Sequence, residues 1–118
     1  MEKKSLAISY GYEPTLNRVV FRHNFETIVA IPTRENQNRD EFEPICKTLF
    51  NVLFAATHHS LQNTIELINR ILEKSYLTEI EKMHAFKNIV HFLIRNNDVD
   101  EKLVILKRMY NESQGPAV

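Results

Sequence analysis

Five side chains at helical spacing hold the greatest chemical capacity in this chain: Glu81, His84, Asn88, His91 and Arg95. Their steps of three and four residues place them in one stripe of an α-helix, which turns about 100° per residue. Two imidazoles and a carboxylate on one stripe suggest a metal or a proton-transfer site. The spacing argues against both. A helical zinc site uses His at i and i+4, whereas His84 and His91 lie two turns, or ~10 Å, apart along the axis. Glu81-x-x-His84 supplies one half of a carboxylate di-iron motif, but the second Glu-x-x-His and its two further carboxylates are missing. The stripe therefore reads as the solvated edge of a helix covered on both flanks. Neutral imidazoles titrate near pH 7, so His84 and His91 are also suited to a pH-sensitive contact with a partner.

The remaining candidates are weaker. His58 and His59 are adjacent, so on a helix they point about 100° apart and chelate one ion poorly. Between the apolar run ending at Ala56 and the cap Ser60, they read as punctuation at a helix carboxyl end, where histidine complements free carbonyls. Cys46 falls on an apolar stripe and has Lys47 as its only charged immediate neighbour, which suits a core thiol better than a nucleophile. No G-x-S-x-G, P-loop or Cys-x-x-Cys pattern occurs. No catalytic residue, metal ligand or cofactor is expected.

Composition narrows the function classes further. Lys plus Arg and Asp plus Glu both number 15 in 118 residues, giving zero formal net charge. No basic stripe of the kind needed to displace counterions from DNA or RNA is visible. No run of about 18 apolar residues is present, so no membrane-spanning helix is expected. A single cysteine precludes an internal disulfide and suits a reducing, cytoplasmic setting.

The elements that must position these residues fall into two parts of one expected domain, 1–118. Residues 5–32 are strand-rich. Leu6, Ile8 and Tyr10 alternate, as do Val19 and Phe21, then Phe25, Thr27, Val29 and Ile31, with a turn expected at His23-Asn24 and a stop at Pro32. Residues 33–40 contain no apolar side chain and read as a polar loop. Residues 41–112 read as four helices. The first spans about 41–57, capped by Asp40, with Pro44 in its first turn and Phe42, Cys46, Leu49 and Leu53 in its stripe. The second follows Ser60. The third begins at the capping box Thr78–Glu81, and the fourth at Asp98, with Val99, Leu103, Leu106 and Tyr110 in line. Residues 113–118 are expected to be a mobile tail. The expected fold class is α+β, a small antiparallel hairpin or sheet packed on an antiparallel four-helix bundle.

The functional expectation is a small protein-interaction module, such as an inhibitor, immunity protein, adaptor or phage-type regulator. The first and third helices have more apolar surface than a single stripe requires. A partner protein or a homodimer can cover it. Expected contact residues are Phe50, Phe54 and Phe92, with polar specificity from His84, His91, Arg34 and Arg39, since aromatics and Arg anchor interfaces. The alternative is a dimeric nucleic-acid-binding regulator using Lys102, Lys107 and Arg108. Against a helix-turn-helix reading, Glu79 and Glu81 would face phosphate. A metal-dependent enzyme using His84 or His58-His59 is the third and least supported reading.

Overall fold

β-branched and aromatic residues at alternating positions build a sheet whose main core face has Val19 and Phe21, while Val20, of the opposite parity, is buried as well. In the computed structural model, which describes residues 7–96, three antiparallel strands pair in the order β1 (Ile8–Glu13), β2 (Arg18–His23) and β3 (Glu26–Pro32). The register aligns Tyr10 with Phe21 and Val29, and Tyr12 with Val19 and Ile31. These side chains share the face turned toward the helices. The Tyr10 and Phe21 rings stack at 5.1 Å, and Tyr12 meets Phe42 of the first helix at 4.9 Å.

Two departures from simple alternation follow. Pairing shifts between Phe21, opposite Val29, and Arg22, opposite Thr27, so Ile28 has no partner of its own. This β-bulge lets the consecutive residues Ile28 and Val29 both be buried. The β2–β3 turn is also one residue later than the expected His23-Asn24. His23 pairs with Glu26, and the two loop residues are Asn24 and Phe25, with φ of 48° and 72°. Two positive φ values are the signature of a type I′ turn, whose twist matches that of the strands. Phe25, expected in the alternating strand, is at the tip and 98% exposed.

Three helices follow: α1 (Arg39–Phe54), α2 (Leu61–Glu73) and α3 (Glu79–Arg95). α1 starts before Asp40, with Asn38 at its N-cap and no side-chain capping bond; Asp40 and Glu41 in the first turn complement the positive end of the helix dipole. Pro44 consequently lies beyond the first turn and removes one internal hydrogen bond. The Ser60 Oγ accepts from the Asn63 N–H at 3.1 Å, and the Thr78–Glu81 capping box is complete in both directions. His58 ends a short 3₁₀ turn at 56–58, between α1 and α2.

α1 packs on β1, α2 on α1 and α3, and α3 along β3. Phe42, Cys46, Leu49 and Leu53 from α1, Leu61, Ile68 and Leu72 from α2, and Ala85, Ile89, Phe92 and Leu93 from α3 join Val19, Phe21, Val29 and Ile31 in one apolar cluster. The described fold is α+β, with three helices rather than a four-helix bundle; the fourth helix expected from Asp98 lies outside the described residues. Among the described residues no helix is long and apolar enough to cross a membrane.

Candidate interaction surface

The polar segment 33–38 is bound to the helices by a clasp centred on Glu81. As the fourth residue of its capping box, Glu81 accepts from the Thr78 N–H at 3.0 Å. Its carboxylate also takes two hydrogen bonds from the Arg34 guanidinium, one of them at 3.1 Å. The Arg34 guanidinium lies 5.4 Å from the centre of the Tyr76 ring, and the Tyr76 hydroxyl donates to the Pro32 carbonyl at 2.6 Å. The Arg34 hydrogen bonds hold the Glu81 carboxyl below the ordinary carboxylate range, against the opposing effect of burial and with help from the Thr78 N–H. Burial pushes the Tyr76 hydroxyl up to about 12.

Next to this clasp, α3 and the β2–β3 hairpin enclose a groove of about 340 Å³. Leu16, Ala30, Pro32 and Ala85 supply apolar lining; Arg18, Glu81, His84 and Asn88 supply polar groups. Arg18 is ion-paired with Glu13 at 2.6 Å, so both charged side chains of the lining already have counter-ions. Arg18 and Arg22 together lower the Glu13 pKa, mainly through the Arg18 hydrogen bond.

The polar stripe of α3 runs along this groove and beyond it. His84, Asn88, His91 and Arg95 are exposed, while Ala85, Phe92, Val90 and Ile94 on the two flanks are buried. The structure thus brings Glu81, His84 and Asn88 to one groove wall, and joins Arg95 to Glu26 at 2.8 Å. Among the described residues, no group of three or more His, Cys, Asp or Glu side chains gathers closely enough to hold a metal ion.

The other expected contact residues are dispersed. Phe92 is 1% exposed and meets His23 edge-on at 5.2 Å, which makes it core. Phe50 is half-buried between Tyr10, at 5.5 Å, and Phe54, at 5.8 Å. Phe54 is 44% exposed at the end of α1. Arg34 is committed to the clasp, and Arg39 lies 5.9 Å from the Tyr12 ring and 3.5 Å from the Glu43 carboxylate. Cys46 is fully buried, and burial pushes its thiol up to about 12, with the Glu43 charge adding to the effect. The basic patch at Lys102, Lys107 and Arg108 lies outside the described residues.

Five exposed large apolar residues are not among the expected contacts: Phe25, Leu16 at 59% exposure, Leu67 at 40%, Ile80 at 66% and Met83 at 59%. Leu16 lines the groove, and Ile80 and Met83 flank the groove residues of α3 in sequence. Asn at position 24 was the available signal for Phe25, because Asn favours the first place of a type I′ turn and so puts the next residue at the tip. No protein-family model, no curated protein and no solved structure matches this chain.

Proposed function

We propose that this chain is a small protein-interaction module that occludes or bridges a partner protein, as an inhibitor, immunity protein, adaptor or phage-type regulator does. Phe25 carries this reading. It is 98% exposed, at a backbone conformation with φ of 72°, where glycine is unstrained and a bulky residue is disfavoured. An aromatic ring kept there works against folding and favours recognition, since aromatics are the usual anchors of protein interfaces. The exposed Leu16, Ile80 and Met83 extend the apolar surface available to a partner. Zero net charge favours association with proteins over a polyanion. The proposal includes a cytoplasmic setting, supported by the lone cysteine.

A photo-activatable phenylalanine analogue at position 25 tests the reading, with exposed Glu35 as the control position. The expected result in extract from the source cell is a discrete protein adduct at 25 and none at 35. Equal, diffuse labelling at both positions refutes it.

A further inference from the structure

We propose that the exposed line of α3, with the groove beside it, takes an acidic amphipathic helix of a partner protein. The proposal rests on the interaction reading above and names the partner's chemistry. Ile80, His84, Lys87, His91 and Arg95 follow one another at steps of four, three, four and four, so they share one line of the helix, and all five are exposed. Asn88 lies beside that line on the groove wall. From Lys82 to Asn97 the chain has three cations, two histidines and no carboxylate. In a chain of zero formal charge, this stretch concentrates positive charge on one surface.

The facing hairpin has the same sign. Arg18 lines the groove, and Arg18 and Arg22 share one carboxylate, Glu13, at 2.6 and 3.5 Å, so this trio keeps one positive charge. Glu81 and Arg34 cancel, as do Glu26 and Arg95. Lys87 is exposed and has no carboxylate partner among the described residues. The groove, the line and their ion partners therefore hold an excess of two positive charges. His84, His91 and Asn88 add N–H donors, which imidazole and amide both possess. Carboxylates complement such a surface in charge and as acceptors.

The occupant must also have an apolar side. Leu16, at 59% exposure, lines the groove with Ala30, Pro32 and Ala85, and Ile80, at 66%, begins the line. An apolar stripe flanked by carboxylates meets both needs, and an acidic amphipathic helix laid into a groove presents that pattern. From His84 to Arg95, eleven residue steps cover ~16 Å, enough for about three turns of a bound helix. Duplex nucleic acid fits this surface less well. Glu13, Glu26 and Glu81 lie along it and oppose phosphates, and an excess of two charges displaces few counterions.

Amide-shift titration of the isotope-labelled full chain tests the proposal. The probes are a synthetic helix with Leu on one face and Glu on both flanks, the same peptide with Lys for Glu, and a generic DNA duplex. The Glu peptide should shift amides of α3 and of Leu16 and Ala30, saturably, with a Kd of about 10–100 µM at low salt, and the Lys peptide should bind at least about tenfold more weakly. Lys87→Glu should weaken the Glu peptide about tenfold and strengthen the Lys peptide. As a substitution at an exposed helix position, it should leave the melting temperature near that of wild type, so the change in binding would not reflect misfolding. Equal affinity for the two peptides, shifts centred elsewhere, an affinity insensitive to Lys87→Glu, or tighter binding of the duplex overturns the proposal. If no probe binds while the cross-linker at 25 still captures a discrete protein, the acidic-helix surface falls and the interaction reading stands.

Discussion

Glu81→Gln is the sharpest test of how the polar loop is held. Gln at this position retains the capping-box acceptor for the Thr78 N–H, so the change isolates the negative charge. Two terms are lost. The forked Arg34 pair is half-exposed, which limits it to about 1 kcal/mol. The charge in the first turn of α3 contributes about 0.3–0.5 kcal/mol against the helix dipole. The expected cost at pH 7 is therefore about 1–1.5 kcal/mol, readable as a shift of the urea midpoint with unchanged slope. The pH dependence has a definite sign. The Glu81 carboxyl is held below its ordinary 4.5 in the fold, so its contribution is complete above that value and lost as pH falls through the lowered one. The gap between wild type and variant should be full at pH 6–7 and close progressively below about 4.5. Arg34→Met should cost markedly less in the Glu81→Gln background than in the wild type. A gap that is constant from pH 7 to pH 3, or additive effects of the two substitutions, would refute the clasp.

Three further outcomes follow from the packing. Gly11→Thr should stabilise the chain by about 0.5–1 kcal/mol in urea titration, because a Cβ at this mid-strand glycine meets nothing within 4 Å and Thr suits an exposed strand position. Cys46 should stay unmodified by a thiol reagent at pH 8 in the folded protein and react at the unfolding midpoint, since it is buried with its thiol pushed up to about 12. Phe92→Ala should cost about 3–5 kcal/mol and Phe54→Ala under about half of that in the same titration, the first emptying core volume and the second trimming a ring already 44% exposed.

What was legible in the sequence was local. Ser60 and Thr78 begin helices because their hydroxyls reach amides three residues on, and that geometry is written within four positions. The stripe Glu81, His84, Asn88, His91, Arg95 is visible because the helical period is fixed, and the burial of Ala85, Phe92, Val90 and Ile94 on its flanks follows from the same wheel. The β3 strand is less legible. A bulge at Ile28 resets the period of two, and shifting the turn by one residue takes Phe25 from the strand to the tip. The Arg34–Glu81 pair joins positions 47 apart, and the groove is assembled from the 3₁₀ turn Pro14–Leu16 between β1 and β2, two strands and a helix; neither has a local pattern that reveals it.

The clasp also changes what the stretch from Thr33 to Glu41 means to a protease. By composition it is a linker, hydrophilic and with two arginines, the kind of segment that limited digestion nicks first. Cleavage after Arg34 requires that side chain to enter a protease pocket, and here it is held by Glu81 and lies over Tyr76. The neighbouring amides are tied as well: the Thr33 N–H donates to the Asn17 carbonyl at 2.8 Å and the Arg34 N–H to the Gln37 side chain at 2.8 Å. Digestion at that bond must therefore wait for the clasp to open. The segment most like a hinge in composition acts as a strap between the sheet and the helices.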